Sequence, residues 1–279
     1  MALLSVVGLV LAVVVGLVLL TAFICIKPDQ FAEFRDRIPE RLGVVIPSLA
    51  VLGGVLLLNS VARRFTEDLS WLIGINISAL IFRIEGSFVA ELQRISTPEL
   101  TIYFSFVYVF GYVLLLVFPL IAYFLLNRLD TFHELTLAYT ANYTIGLLCY
   151  LIFIAYGPRN LAVAEQFMYD AFPQFKLLTF AVNLNTNVFP SLHTSLSMTV
   201  MLFAWRTKSA YPRWLPIAVL LGTSVIASTM YLGIHWFIDV IGGIALGYLG
   251  YRIGIRFRDR WAAAMPKVSV DRPFIRTRI

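Results

Sequence analysis

Seven stretches of this chain are apolar for long enough to cross a lipid bilayer, and nothing else limits its fold as strongly. They lie at about residues 2–26, 44–61, 100–127, 135–156, 190–205, 214–232 and 236–255. A bilayer core has no water to satisfy unpaired backbone groups, so only helices or closed barrels span it. Runs of roughly 20 residues have the length of a spanning helix rather than of a spanning strand. The composition agrees, with 59% hydrophobic and 14% charged residues and a mean hydropathy of +0.83. A soluble domain holds about 45–50% apolar and about 25% charged residues. The expected fold class is an all-α integral membrane protein of about seven transmembrane helices.

The organisation follows from where the charges fall. Residues 1–43 read as a signal-anchor helix and a polar linker, 44–260 as one membrane-embedded core, and 261–279 as a basic tail. The first run has no basic residues before it and no small-residue cleavage pattern after it, so an anchor is expected rather than a removed signal. The net charge of +6 reads as membrane topology, and nothing points to nucleic acid. Arg252, Arg256, Arg258, Arg260, Lys267, Arg272, Arg276 and Arg278 crowd the C-terminal end, as a cytoplasmic, anionic-lipid-facing segment does. With seven spans, Lys27, Arg35, Arg37, Arg41, Arg128 and the 206–213 loop join them inside. Arg63, Arg64, Arg83 and Arg94 run against that scheme. Trp205, Trp214, Trp236 and Trp261 stand at or just beyond span ends, as an aromatic belt requires.

Between the second and third runs, Ile73, Ile77, Leu80, Ile81, Ile84, Phe88, Leu92 and Ile95 recur at helical spacing. The spacing predicts one amphipathic helix lying in the interface. Cys25 and Cys149 fall inside apolar runs and read as packing residues.

The chain has three histidines, and two of them open long apolar runs on the same expected face. A histidine at a membrane boundary is costly unless something uses it. In Pro190-Ser191-Leu192-His193, Ser191 is suited to cap a helix whose first N–H groups would form a phosphate cradle. In Tyr231-Leu232-Gly233-Ile234-His235, the histidine precedes Asp239 by four residues, so the two share a helix face. A carboxylate placed so fixes a histidine's tautomer and raises its basicity. Gly243, Gly247, Gly250 and Gly254 continue along much the same face, which small residues let approach another backbone closely. Whether that face packs within the chain or between copies in a homo-oligomer is open. Arg159, in Tyr156-Gly157-Pro158-Arg159, suits a bidentate phosphate clamp. The third histidine, His133, falls in a short loop on the other face. These residues alone also allow a proton-coupled channel or transporter with a His193–His235–Asp239 relay, or a metal held by the same three side chains.

Ser191-x-His193 and His235-x-x-x-Asp239, each opening a span, resemble the second and third motifs of the type 2 phosphatidic acid phosphatase superfamily. Within it, Phe189–Ser195 and Ser228-Thr229-Met230-Tyr231-Leu232-x-x-His235-x-Phe237-x-Asp239 are most similar to the inositol phosphorylceramide synthase branch. The resemblance implies a six-helix core and a two-step phosphoryl transfer on a phospholipid or polyprenyl phosphate, without metal or other cofactor. By that analogy His235 is the nucleophile, Asp239 orients it, and His193 serves as acid and then base. Arg159, Ser191 and main-chain N–H groups would hold the phosphate, with Tyr231 and Lys176 as further substrate contacts. Three positions depart from the phosphatase pattern. Thr229 stands for an arginine, Ile152 for a lysine, and Leu192 for a glycine. Two cations fewer suit a phosphodiester donor, and so head-group transfer to a lipid hydroxyl.

Overall fold

The computed structural model describes residues 3–28, 38–176 and 185–264. Arg35, Arg37, Lys267, Arg272, Arg276 and Arg278, together with the side chains of Arg63 and Arg64, lie outside the described residues. Helix α1 spans Leu3–Cys25 and α2 Ile38–Ile73. A short strand β1 (Ile75–Asn76) leads to α3 (Ser78–Glu85) and α4 (Phe88–Gln93). Helix α5 (Pro98–Phe106) passes through a π-turn at Val107–Gly111 into α6 (Tyr112–Phe124). Then come α7 (Asp130–Ile152), β2 (Phe153–Ile154), a 3₁₀ turn at Pro158–Leu161 and α8 (Phe167–Ala171). Helices α9 (Leu192–Arg206), α10 (Trp214–Tyr231) and α11 (Phe237–Ala264) complete the bundle.

Among the described residues six helices are long and apolar enough to cross a membrane. The seventh expected span, 190–205, folds as the 15-residue α9. At 1.5 Å per residue it is roughly 22 Å long, short of a bilayer core of about 30 Å. It can be short because it is not bathed in lipid. Leu196, Val200, Phe203 and Ala204 are wholly buried, and α9 packs against α6, α7, α10 and α11. It still joins the two ends of the bundle, with His193 at one and Arg206 at the other.

The glycine face of α11 is filled within the chain. A Cβ on Gly247 would strike the Ser195 carbonyl, and one on Gly254 the Glu134 carbonyl. So α11 lies backbone-close to α9 and α7, where four hydrogens replace four side chains.

Several expectations change. The second span belongs to a helix of 36 residues, which absorbs part of the expected linker and runs on past the bilayer. The single amphipathic helix is two, broken at Gly86, whose φ of 56° is open to glycine but strained for other residues. The basic C-terminal residues through Arg260 belong to α11, and Arg258 folds inward onto Glu134 at 3.5 Å. Of the expected belt tryptophans, Trp205 is 61% exposed while Trp214 and Trp236 are fully buried. Trp214 packs on Phe118 at 4.5 Å between ring centres, and the Trp236 indole donates to the Tyr156 carbonyl at 2.8 Å. His133 is not in a loop: it lies in the first turn of α7, buried, with Nδ1 2.8 Å from the Ser48 hydroxyl.

Candidate active site

Three segments meet at one end of the bundle. Ser191 caps α9, its Oγ accepting from the Thr194 N–H at 3.3 Å. Its own N–H donates to the Asp239 carbonyl at 3.0 Å, which clips the two motif segments together. The chain before His235 turns sharply at Gly233, whose φ is 69°, a region open to glycine. The Thr229 carbonyl accepts from both the Ile234 and the His235 N–H at 3.0 Å. The Gly233 carbonyl takes the Arg159 N–H at 3.0 Å. Gly157 allows this approach, since a Cβ there would run into the Ile234 carbonyl.

The imidazole of His193 comes from the first turn of α9 and that of His235 from the loop just before α11, not from the helix face shared with Asp239 that the spacing predicts. Their ring centres are 6.4 Å apart. His235 Nδ1 lies 3.4 Å from Asp239 Oδ2, and both side chains are buried. The same Oδ2 accepts from the Trp236 N–H at 2.8 Å, the reciprocal half of a capping box. Among the described residues His235 Nδ1, Asp239 Oδ1 and Arg159 Nη1 are buried without a hydrogen-bond partner. Such groups are rare in folded proteins, and each calls for an explanation. The Arg159 guanidinium lies over the Tyr169 ring at 4.8 Å. Burial, and then the Arg159 charge, push the His235 imidazole down to about 3, against a hydrogen bond to the Val188 main chain. The ring is therefore neutral at ordinary pH, as a nitrogen nucleophile must be.

Not every expected residue joins this centre. Tyr231 is buried, but its hydroxyl pairs with Thr101 Oγ1 at 2.8 Å and its ring packs on Phe104 and Phe167. It braces the histidine loop against α5 instead of facing the histidines. Lys176 is exposed in the helical residues 174–176 that follow α8, its N–H on the Pro173 carbonyl at 3.1 Å, and its place relative to the histidines stays an expectation. Thr229 is fully buried, and its hydroxyl turns back to the Ile226 carbonyl at 2.7 Å. Ile152, at the end of α7, is exposed. Leu192 takes the place of a glycine because Gly146 on α7 makes room: a Cβ at Gly146 would fall 2.7 Å from Leu192 Cδ2.

Other residues enter that the sequence did not single out. Tyr108 stacks on His193 at 4.4 Å between ring centres, and Tyr112 leans on it at 4.3 Å. The π-turn between them widens the helix, a device common at functional sites. Their spacing of four residues around Gly111 was the available signal. Tyr150 donates to the Pro190 carbonyl at 3.1 Å. Among the described residues no three His, Cys, Asp or Glu side chains converge so as to hold a metal ion.

A sequence profile described as PAP2 superfamily matches residues 71–253, a stretch that holds Arg159, both histidines and Asp239. The chain belongs to the PAP2 superfamily. It is also similar to a protein of Methanocaldococcus jannaschii described as "Uncharacterized protein MJ0662", with 26% identity over 161 residues. That match covers 56% of this chain and 62% of the archaeal protein, so the chain spans less than two thirds of its relative's length. No solved structure matches.

Proposed function

We propose that this PAP2 superfamily member transfers a phosphoryl group from a lipid phosphate ester through a phosphohistidine on His235. The observation that carries this reading is the pairing of two imidazoles, one from α9 and one from the loop before α11, beside a buried, unpartnered guanidinium nitrogen. In this reading one phosphate touches all three. In the first step the neutral His235 ring attacks phosphorus, the P–N bond forms and the P–O bond to the lipid alcohol breaks. His193, which takes up a proton as the anionic phosphate enters, gives it to the departing oxygen. In the second step His193 takes a proton from the acceptor hydroxyl, whose oxygen attacks phosphorus and releases His235. Asp239 holds the ring and balances its positive charge, and Arg159 draws charge from the equatorial oxygens. Such transfers rest on positioning and electrostatics.

Water as acceptor makes the protein a phosphatase, and a lipid hydroxyl makes it a head-group transferase. Thr229 favours the second, because a buried threonine stands where phosphatases present a cation, and a diester carries one charge fewer to neutralise. The branch resemblance supplies phosphoinositol as the head group. A relay through the membrane is less well supported. Between Asp239 and Arg258 on α11, between His193 and Arg206 on α9, and between Glu134 and Ile152 on α7 the chain has no further Asp, Glu or His. The histidine end is proposed to face away from the cytoplasm, because Arg41, Arg206 and Arg213 gather at the other end. Thiol labelling of a cysteine placed at 160, against one at 262, tests that facing in whole cells.

The test of function gives purified protein a lipid phosphomonoester, or a phosphoinositol diester donor with a labelled lipid alcohol. A new head-grouped lipid, with phosphate trapped on His235 and absent in His235→Ala, is the expected outcome. Free phosphate from the monoester, equally dependent on His235, would make the protein a phosphatase. Turnover that survives His235→Ala would sink both.

A further inference from the structure

Glu85 ends α3, on a stretch whose charges the sequence pattern assigns to a solvated face. Its carboxylate instead sits at the start of α11. Oε2 accepts from the Phe237 N–H at 2.8 Å, and Oε1 accepts from the Ile238 N–H. Asp239 already holds the Trp236 N–H. Consecutive N–H groups at the mouth of the helix are thus held by two carboxylates approaching from different elements. Burial raises the Glu85 carboxyl above its usual range, the Ile238 and Phe237 N–H groups oppose that rise, and the Asp239 charge adds to it. A carboxylate half-buried beside another carboxylate is kept there by the helix end it serves.

The element carrying Glu85 is fixed on both sides of the site. Strand β1 pairs in parallel with β2, Ile75 opposite Phe153 and Asn76 opposite Ile154. Ser78 Oγ accepts from the Tyr156 N–H at 3.0 Å, three residues before Arg159. Phe82 meets the Trp236 ring edge-on at 6.3 Å, and Phe88 meets Phe237 at 5.7 Å. The Gln93 amide donates to the Tyr231 carbonyl at 2.9 Å, at the other end of the histidine loop. The His235 loop is therefore held at one end through Gln93 and at the other through Glu85.

We infer that Glu85 is a positioning residue: by fixing the first turn of α11, it sets the approach of Asp239 to His235. This rests on the reading of His235 as nucleophile. The approach matters because Nδ1 and Oδ2 stand 3.4 Å apart without a formed hydrogen bond, and the contact must tighten as charge develops on the ring. Small displacements of a reacting group carry large rate penalties.

The test compares Glu85→Gln with His133→Ala. The second removes a buried contact, His133 Nδ1 to Ser48 Oγ at 2.8 Å, at the opposite end of the bundle. Glu85→Gln keeps the size but presents one neutral acceptor in place of two anionic ones. Its kcat on the lipid donor is expected to fall roughly ten- to a hundredfold, with KM within about twofold, a loss larger than any change in its folded fraction accounts for. His133→Ala should melt earlier and keep its kcat. Glu85→Asp, with the charge kept and the reach shortened, carries the same comparison if Glu85→Gln does not fold. A Glu85→Gln protein with wild-type kcat, or one that loses rate only in step with its folded fraction, overturns the inference. Failure of the underlying reading would show first in the wild type, as folded protein that turns over no donor and takes no phosphate on His235. That result would remove the role of Glu85 with it.

Discussion

The two ends of the bundle both bury histidine, arginine and carboxylate, yet they use them in opposite ways. At the end opened by α7, Glu134 is buried and receives Arg206 at 2.9 Å and Arg258 at 3.5 Å. His133 Nδ1 meets Ser48 Oγ, which also takes the Trp261 indole N–H at 3.2 Å. Each charge there has its counter-charge, and the histidine has its hydroxyl. At the other end Arg159 Nη1, His235 Nδ1 and Asp239 Oδ1 have no hydrogen-bond partner among the described residues, whereas Glu134 Oε2, which also lacks one, has the Arg206 charge 2.9 Å away. Burying polar groups costs free energy that only a partner returns. A closed network is what stability requires, and an open one is what a ligand completes. Residue type does not separate the two ends; satisfaction does.

The sharpest way to break this comparison is at His235. Replacing it by alanine should lower turnover by more than about a thousandfold, since groups that act as a unit fail together. Asp239→Asn should leave a measurable remainder, read as initial rate on the same lipid donor. Next in size is Arg159→Ala, expected to cost about 2–4 kcal/mol of transition-state stabilisation, or roughly 30- to 1,000-fold in kcat/KM. If the open nitrogen is merely an interfacial anchor, that variant will keep its rate.

A third test uses pH. His235 takes up a proton near its ordinary value of 6.5 in the unfolded chain, but only near 3 in the folded one. Its folded pKa is lowered, so the unfolded state binds more protons between those values. Stability should fall as pH drops through that window, by up to about 1.4 kcal/mol per pH unit. His235→Asn should flatten this part of the slope in detergent melts. The smallest effect on rate is expected at the closed end. His133→Ala should cost about 1–3 kcal/mol of stability by leaving Ser48 and its neighbours short of a partner, while kcat stays within about twofold. A large loss of rate there would mean that the ends are coupled and the contrast misleads.

Much of the open end was legible in the sequence, for a reason specific to membranes. Three histidines in so apolar a chain are conspicuous, and the four-residue spacing of His235 and Asp239 signals their contact, although only Asp239 lies on α11. The glycine face of α11 was legible in the same way, because periodicity survives where propensity is uninformative. What could not be read depends on distant partners. Glu85 shows as a surface charge until the start of α11 is laid against it. Tyr108 and Tyr112 show as two more aromatics in an apolar run until His193 lies between them. His133 and Glu134 sit in a polar cluster that reads as a loop, and only Ser48, Arg206 and Arg258, from three other helices, turn it into buried structure. The extension of α2 past the bilayer was hidden by the charges that follow Val61, which usually mark a span's end.

The main-chain hydrogen bond from Ser191 to the carbonyl of Asp239 has a consequence for inheritance. Neither end of that bond is a side chain, so no substitution short of proline at 191 removes it, and the two motifs are joined across most changes of residue. A relative that drifts in the placement of one helix must shift the other to match. Motif segments grafted singly between members of the superfamily should therefore give poorly active chimeras, while grafts that carry both should work, each pair arriving with its own alignment.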